Sequence, residues 1–250
     1  MPMLSQRLLA GQGLRRGVAE LALIVVGVLC ALWIEEWRQA QVDRDVEQIY
    51  LERLALDLDE DLASLEAQIE HTEWREDRAM AAIAFLDAEG LAGTASTLQD
   101  FHFAGFINFF RHQRATLDDL LSTGNMRLLR DKDLLRELTG YYRSTDFLRE
   151  FDHNKREQVW GYYRASLRPY ISSLAFETLD RRVPEASSAA TADWPGLRAD
   201  PKVRWGLEGV VAIARVERRM LQEVRADAEA LRSRLAAAIT GASPADGVLP

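Results

Sequence analysis

The sequence predicts an all-α protein. One N-terminal transmembrane helix continues into a long stalk helix, and a helical bundle follows that is closed by a long C-terminal helix. Three observations support this fold class. The stretch Gly17–Ile34 carries no charge except Glu20, and no proline occurs between Pro2 and Pro169. From Val203 onward, small and apolar residues recur at heptad spacing, which is typical of a long packed helix.

The stretch Gly17–Ile34 predicts a membrane-spanning helix. At about 1.5 Å per residue it covers roughly 27 Å, close to the hydrocarbon thickness of a bilayer. It lacks the polar stripe of a soluble amphipathic helix, and Glu20 lies at its edge, where a carboxyl group reaches the headgroups. Trp33 and Trp37 are typical of an interfacial aromatic belt. We therefore predict a transmembrane helix over residues 17–37, with Glu20, Trp33 and Trp37 as membrane anchors.

The flanks of this stretch predict its processing and orientation. A cleaved signal peptide is disfavoured, because aromatic and acidic residues follow Ile34 where small residues are required. Arg15 and Arg16 precede the span, so the positive-inside rule places a short basic tail, residues 1–16, in the cytoplasm. We expect residues 38–240 to lie outside the cytoplasm, and the lipid bilayer to be one partner of the chain.

Composition excludes several classes of function. The 250-residue chain has a formal net charge of −8, which argues against nucleic acid as a partner. Hydrophobic residues make up 48% and charged residues 28%, an ordinary globular balance. The sequence contains no catalytic motif, no cofactor fingerprint and no metal-ligand spacing among its histidines. We predict no catalytic, cofactor-binding or metal-binding residues, and a protein that is not an enzyme.

The stalk is predicted from apolar residues that recur four and three positions apart, as on a helix with one packed seam. These residues are Leu51, Ala55, Leu58, Leu62, Leu65 and Ile69. Gly90 and Gly93 mark the turn that ends the stalk. The acidic run Asp57–Asp61 imitates the start of a calcium loop, but it lacks the glycine and the final glutamate of that motif. We expect it to be a solvent-facing side of the helix.

Shorter helices are predicted beyond this turn, over residues 98–112, 115–122, 131–144, 146–167 and 170–179. A flexible linker is predicted over residues 182–200, with a turn at Trp194-Pro195-Gly196. Asp200 and Pro201 form a typical helix start, with a side-chain acceptor at the N-cap and a proline at the first helical position. Residues 241–250 are predicted to be a disordered tail.

The C-terminal helix carries two heptad series that only Glu217 interrupts. The residues are Leu207, Ala214, Leu221, Ala228 and Leu235 in one series, and Val203, Val210, Glu217, Val224 and Leu231 in the other. Such a seam packs antiparallel on the stalk or forms a coiled coil with a second chain. Antiparallel packing within one chain is favoured, because it buries the apolar seams of both the stalk and the C-terminal helix. On this view, Glu217→Leu completes the heptad and is neutral or stabilising.

Residues 120–142 contain the string LLSTGNMRLLRDKDL and a Tyr-Tyr pair, residues 50–54 read YLERL, and residues 31–37 read ALWIEEW. In these segments the chain resembles a bacterial family of single-span membrane proteins known only as a domain of unknown function. The resemblance covers roughly the first 145 residues and implies a bacterial inner membrane location with one span. It implies no reaction.

The segment 120–142 allows two interpretations. As a structural corner, Gly124 stops one helix, Asn125 and Asp131 cap the next helical turns, and apolar residues face the core. As a recognition loop, its donors bind a partner or an anion such as a phosphate or lipid headgroup. The donors are Ser122, Thr123, Asn125, Arg127, Arg130 and Lys132. The corner is favoured, because polar caps are the commoner cause of such a pattern.

Phenylalanines crowd the segment from Phe101 to Phe110. In a helix, Phe103, Phe106 and Phe110 share one face, which predicts core packing. The alternatives are an apolar ligand pocket and a helix that rests on the membrane.

Three functions are considered. The leading hypothesis is a membrane-anchored helical interaction or scaffold module that binds a partner protein or itself; Gly27 and Ala31 are weak evidence for self-association within the membrane. The second is a helical sensor-type domain that binds a small apolar or anionic ligand and signals through a partner. A hydrolase with a dispersed site comes third.

Overall fold

One helix, α1, runs from Ser5 to Asp87 and organises the rest of the chain. The computed structural model describes residues 5–172 and 192–241, with side chains from Glu20 onward except Ala22. The described residues contain helices and turns and no strand, which confirms the all-α prediction. The remaining helices are α2 (Ala95–Ala104), α3 (Ala115–Thr123), α4 (Lys132–Arg156), α5 (Ala165–Leu167), α6 (Trp194–Ala199) and α7 (Pro201–Thr240). A 3₁₀ turn covers Asn125–Leu128, and a π-helix covers Glu157–Arg164.

Helix α1 joins the predicted span to the predicted stalk without a break. It therefore includes most of the residues assigned to a separate tail. It ends at Asp87, and Gly90 follows with a φ of +73°, so the predicted turn is confirmed. The seam residues from Leu51 to Ile69 pack in the core, as their spacing predicts.

Helix α7 packs antiparallel on α1 within the same chain, as predicted. The Asp200 side chain accepts a hydrogen bond from the Lys202 N–H at 2.9 Å and caps the start. Both heptad series are buried along α7. Ion pairs between the two helices run in opposite order along the chain: Asp59 with Arg232, Glu66 with Arg225, Glu76 with Arg215, and Asp87 with Arg204.

Helix α4 is longer than predicted, and the break expected near residue 145 was wrong. Thr145 lies at the expected break, but its side chain is buried and its hydroxyl donates to the Tyr142 carbonyl at 2.8 Å. The hydroxyl is therefore satisfied within the helix, which continues through this position. The π-helix follows directly, and its Tyr163 hydroxyl donates to the Phe101 carbonyl at 2.6 Å.

The helix predicted over residues 98–112 was also too long, because α2 ends at Ala104. Side chains of other helices bind the backbone beyond it. Asp61 accepts from the Gln113 N–H at 2.6 Å, and the Asn108 carbonyl accepts from Lys155 Nζ at 2.9 Å. These bonds replace helical ones, so the connection from α2 to α3 crosses the bundle as a non-helical segment.

The linker predicted over residues 182–200 was wrong in its last part, because Trp194–Ala199 is helix α6. The Trp194 ring packs edge-on against Phe85 at 5.3 Å between centroids. Gly93 permits this approach, since a Cβ there would lie 2.0 Å from the indole. Residues 182–191 of the predicted linker, the predicted helix from residue 173 onward and the tail from residue 242 lie outside the described residues.

The apolar core has two parts. The near core, toward the N-terminal end of α1, contains Leu58, Leu138 and Leu221 among others. The far core contains Phe101, Val159 and Leu207. Between the two lies a layer of buried polar side chains.

Candidate functional site

The polar layer is built around Glu217, the residue that interrupts the heptads of α7. Its Oε2 atom accepts from Arg75 Nη2 of α1 at 2.6 Å. Its Oε1 atom accepts from Gln68 Nε2 at 2.9 Å and from Lys155 Nζ of α4 at 2.7 Å. The side chains of these four residues are buried. One carboxylate therefore joins three helices, and the expectation that it merely breaks the pattern was wrong.

Lys155 completes the layer. Besides Glu217, its ammonium group contacts Asp152 Oδ1 at 2.6 Å and donates to the Asn108 carbonyl at 2.9 Å. All three donors of the ammonium thus have partners, as a buried lysine requires. The layer ties the crossing segment between α2 and α3 to α4 and α7.

The charges of the layer balance when both carboxyl groups are ionised. Burial raises the pKa of Glu217, but attraction to Arg75 and Lys155 outweighs burial and holds the pKa below its usual range. Burial raises the pKa of Asp152 despite the adjacent Lys155. Burial, followed by the charge of Arg75, lowers the pKa of His71 to about 4. His71 is therefore neutral at pH 7.

Some buried nitrogen atoms in this region have no hydrogen-bond partner. Arg75 Nε and Nη1 and both ring nitrogens of His71 make no hydrogen bond within the described residues. The His71 ring instead contacts Trp74 at 5.7 Å and Phe106 at 5.8 Å between centroids. The described residues include no group of three potential metal ligands. The layer is suited to fixing the register of α1, α4 and α7, because replacing one partner would leave a buried charge unpaired.

A second buried carboxyl group lies in the near core. Asp61 accepts from the Tyr141 hydroxyl at 2.7 Å as well as from the Gln113 N–H, and it is 0% exposed. The acidic run was predicted to face solvent, and for Asp61 this was wrong. Burial raises the pKa of Asp61 to about 6, against the two hydrogen bonds that favour the charged form.

The donors predicted as a recognition loop are mostly used in a corner. Ser122 and Thr123 both donate to the Asp119 carbonyl, and Asn125 donates to the Tyr50 hydroxyl at 2.9 Å. The Arg130 N–H donates to Glu47 at 2.8 Å.

Gly124 has a φ of +72° and stops α3, and Asp131 caps α4, as predicted. Arg127 and Lys132 remain exposed. The contacts favour the structural corner over the anion site.

The structure separates Phe110 from Phe103 and Phe106, although all three were predicted to share a helix face. Phe106 and Phe110 lie beyond the end of α2, so the helical argument does not apply to them. Phe110 packs in the near core, whereas Phe103 contacts Trp74 at 5.0 Å. Phe106 is half-exposed beside Phe103 and His71.

One open surface of the bundle is a groove between α4 with its π-helix and α7, which we call the α4–α7 groove. It contains four cavities, of about 260, 350, 370 and 400 Å³. Large apolar side chains are exposed along it. They are Phe147, Tyr162 and Trp205, the last 73% exposed. No sequence pattern indicated this surface, because its two walls are far apart in the chain.

Glycines shape the far end of the groove. A Cβ at Gly206 would lie 3.2 Å from the Tyr163 backbone, so this glycine lets the π-helix approach α7 closely. A Cβ at Gly209 would meet nothing within 4 Å, so this glycine leaves the floor of the 370 Å³ cavity open. π-helical segments such as Glu157–Arg164 are frequent at functional sites.

A second exposed apolar surface surrounds α1 before it reaches the bundle. We call it the apolar sleeve, the large apolar side chains from Leu21 to Ile34. These are between 48 and 76% exposed, and Trp33 and Trp37 are 69 and 62% exposed. Glu20 is exposed as well. In the part of the chain that the structure describes, no helix combines the length and the apolar character that crossing a membrane requires. The transmembrane helix stays a prediction.

No family model, curated protein or solved structure matches this chain. The family resemblance therefore stays a prediction too, and function has to be argued from the geometry of the described residues.

Proposed function

We propose that this protein is a membrane-anchored helical interaction module that holds a rigid bundle near a bilayer and binds a partner protein, without catalysing a reaction. The observation that carries the proposal is the apolar sleeve. Its large side chains point in all directions around α1 and are about half-exposed or more. Apolar patches of this size on a soluble protein mark a surface that something else covers.

A bilayer suits the sleeve better than a protein groove does. A groove covers one side of a helix, whereas lipid covers every side. Each aliphatic side chain favours insertion by roughly 0.3–0.6 kcal/mol, and Trp33 and Trp37 lie one turn apart where the sleeve meets polar sequence. With Arg15 and Arg16 on the cytoplasmic side, the bundle lies outside the cytoplasm.

The bundle itself is suited to rigidity. Two apolar cores, a polar layer between them and a ladder of ion pairs connect its long helices. One of its open surfaces is the α4–α7 groove, which suits binding of another macromolecule.

Alkaline carbonate extraction of the membrane fraction tests the anchor. The wild-type chain is expected in the pellet. The double variant Ile24→Lys plus Val28→Lys places two charges in the sleeve, each costing roughly 3 kcal/mol in a span, and is expected in the supernatant. Ile49→Lys plus Leu56→Lys alters exposed apolar residues of α1 outside the sleeve and is expected to stay in the pellet. Release of the wild-type chain would refute the anchor.

A further inference from the structure

The α4–α7 groove has the shape of a site for a helix. Its walls are two antiparallel helices, and its lining reaches from Leu231 at the near end to Lys202 at the far end. At about 1.5 Å per residue this distance is roughly 43 Å. The wall helices satisfy their own backbone groups, so they offer no edge to an added strand, and side-chain packing has to provide the contact.

The exposed apolar side chains suit an amphipathic helix. Phe147 lines the 350 Å³ cavity, while Tyr162 and Trp205 line both cavities at the far end. Val216 of α7 is also exposed, and in sequence it lies between Ile213 and Met220, which line the 370 and 350 Å³ cavities. Apolar side chains that repeat along one face of a helix would enter successive cavities.

The charged residues that line the near half of the α4–α7 groove indicate which charge a bound helix carries beside its apolar face. Its lining includes the carboxyl groups of Glu137, Glu223 and Asp227 and one guanidinium group, that of Arg143. Glu137 already pairs with Arg234. Glu223 and Asp227 are exposed and make no ion pair within the described part of the chain. A ligand with lysines or arginines beside its apolar face would complement them.

A second copy of the chain fits the groove poorly. Two chains anchored in one membrane point the same way, so a symmetric pair joined along this groove would place Glu223 and Asp227 near their own counterparts. Like charges facing each other across an interface oppose association.

We infer that the α4–α7 groove binds an amphipathic helix of a partner protein, with a cationic flank lying toward Glu223 and Asp227. This inference rests on the proposed function, since it names the partner class of the interaction module.

Photo-cross-linking in intact cells tests the inference. Benzoylphenylalanine replaces Phe147 or Tyr162 in the full chain, and Leu56, an exposed apolar residue of α1 outside the groove, serves as the matched position. The cross-linked peptides are sequenced. Both groove positions are expected to capture one segment with apolar residues at helical spacing and a net positive charge, and Leu56 is expected not to capture it.

Two sets of variants sharpen the test. Glu223→Lys plus Asp227→Lys is expected to lower the cross-linking yield at least fivefold, whereas Glu60→Lys plus Glu70→Lys on α1 leaves it unchanged. Gly209→Leu fills the open cavity floor without a clash at its Cβ and is expected to abolish capture from Tyr162 while the circular dichroism spectrum stays the same.

A synthetic peptide of the captured segment is expected to bind the full chain in nanodiscs at least tenfold more tightly than the same peptide with its basic residues changed to glutamine. Capture of a second copy, of an acidic or extended segment, or equal capture from Leu56 would overturn the inference. So would the lack of any capture from a chain that stays in the carbonate pellet. Release of the chain by carbonate would refute the membrane anchor but not the groove inference, because cross-linking tests the groove separately.

Discussion

Arg75 of α1 donates a 2.6 Å hydrogen bond to Glu217 of α7, and both side chains are buried between two apolar cores. The pair lies at the centre of the polar layer that also contains Lys155. Taking such charges out of water costs several kcal/mol each, and their mutual attraction offsets this only while every partner is present. The layer therefore fixes how α1, α4 and α7 align.

Glu217→Leu is expected to destabilise the bundle by about 3–5 kcal/mol, because it leaves the charges of Arg75 and Lys155 without their shared carboxylate. Urea unfolding of the full chain in mild detergent, followed by circular dichroism, measures the change. Adding Arg75→Met, Lys155→Met and Asp152→Asn to the same variant removes the stranded charges, including that of the carboxyl group that pairs with Lys155, and is expected to recover most of the loss. A single variant as stable as the wild type would show that the layer contributes little.

Asp61 gives the bundle a dependence on pH. Its pKa is raised to about 6 in the folded state, so the folded state holds the proton more tightly than the unfolded chain. The stability from this group is complete below the unfolded pKa and is lost as the pH rises through 6.

The Asp61→Asn variant isolates this effect. Between roughly pH 4.5 and pH 7.5, the wild-type chain is expected to lose about 2 kcal/mol relative to the variant. Comparing the two chains cancels the contributions of other groups, including Asp152. Parallel urea unfolding curves at the two pH values would contradict the assignment.

Gly124 and Gly140 form a matched pair of glycines, since a Cβ at either meets nothing within 4 Å. Gly124 has a φ of +72°, whereas Gly140 lies inside α4. Gly124→Ala is expected to cost about 1 kcal/mol through backbone strain. Gly140→Ala is expected to stabilise the chain by about 0.5–1 kcal/mol through helix propensity. Shifts of equal sign in the two melting temperatures would argue against the corner.

The topology follows from Arg15 and Arg16. A reporter enzyme that is active only outside the cytoplasm is expected to be active when fused after Pro250. Arg15→Glu plus Arg16→Glu is expected to lower that activity, because it removes the basic residues that hold the N-terminus inside. An inactive wild-type fusion, together with an active cytoplasmic reporter, would invert the orientation.

Helices α1 and α7 could be predicted from the sequence because each carries a regular seam. The seam of α1 continues past Leu65 at the same three- and four-residue spacing through Gln68, Thr72 and Arg75 to Ala79. These polar residues, together with Glu217 in the matching seam, were the available signal for the polar layer. Glu217 was predicted to be an isolated break, since nothing local indicated its partner Lys155.

Other features could not be predicted, because distant residues decide them. The segment after Ala104 is non-helical since Asp61 and Lys155 bind its backbone, and both lie far away in sequence. The groove likewise depends on the alignment of α4 with α7. Gly206 and Gly209 have different roles because the Tyr163 backbone lies close to Gly206, whereas nothing lies within 4 Å of a Cβ at Gly209.

Cys30, the only cysteine of the chain, lies inside the apolar sleeve and tests the membrane anchor most directly. A water-soluble maleimide is expected to leave Cys30 unlabelled in intact membranes and to label it after solubilisation in sodium dodecyl sulfate. In a Cys30→Ser background, Leu56→Cys is expected to react in intact membranes, because that position lies beyond the sleeve. Labelling of Cys30 in intact membranes at the rate of Leu56→Cys would contradict the anchor and the function proposed from it.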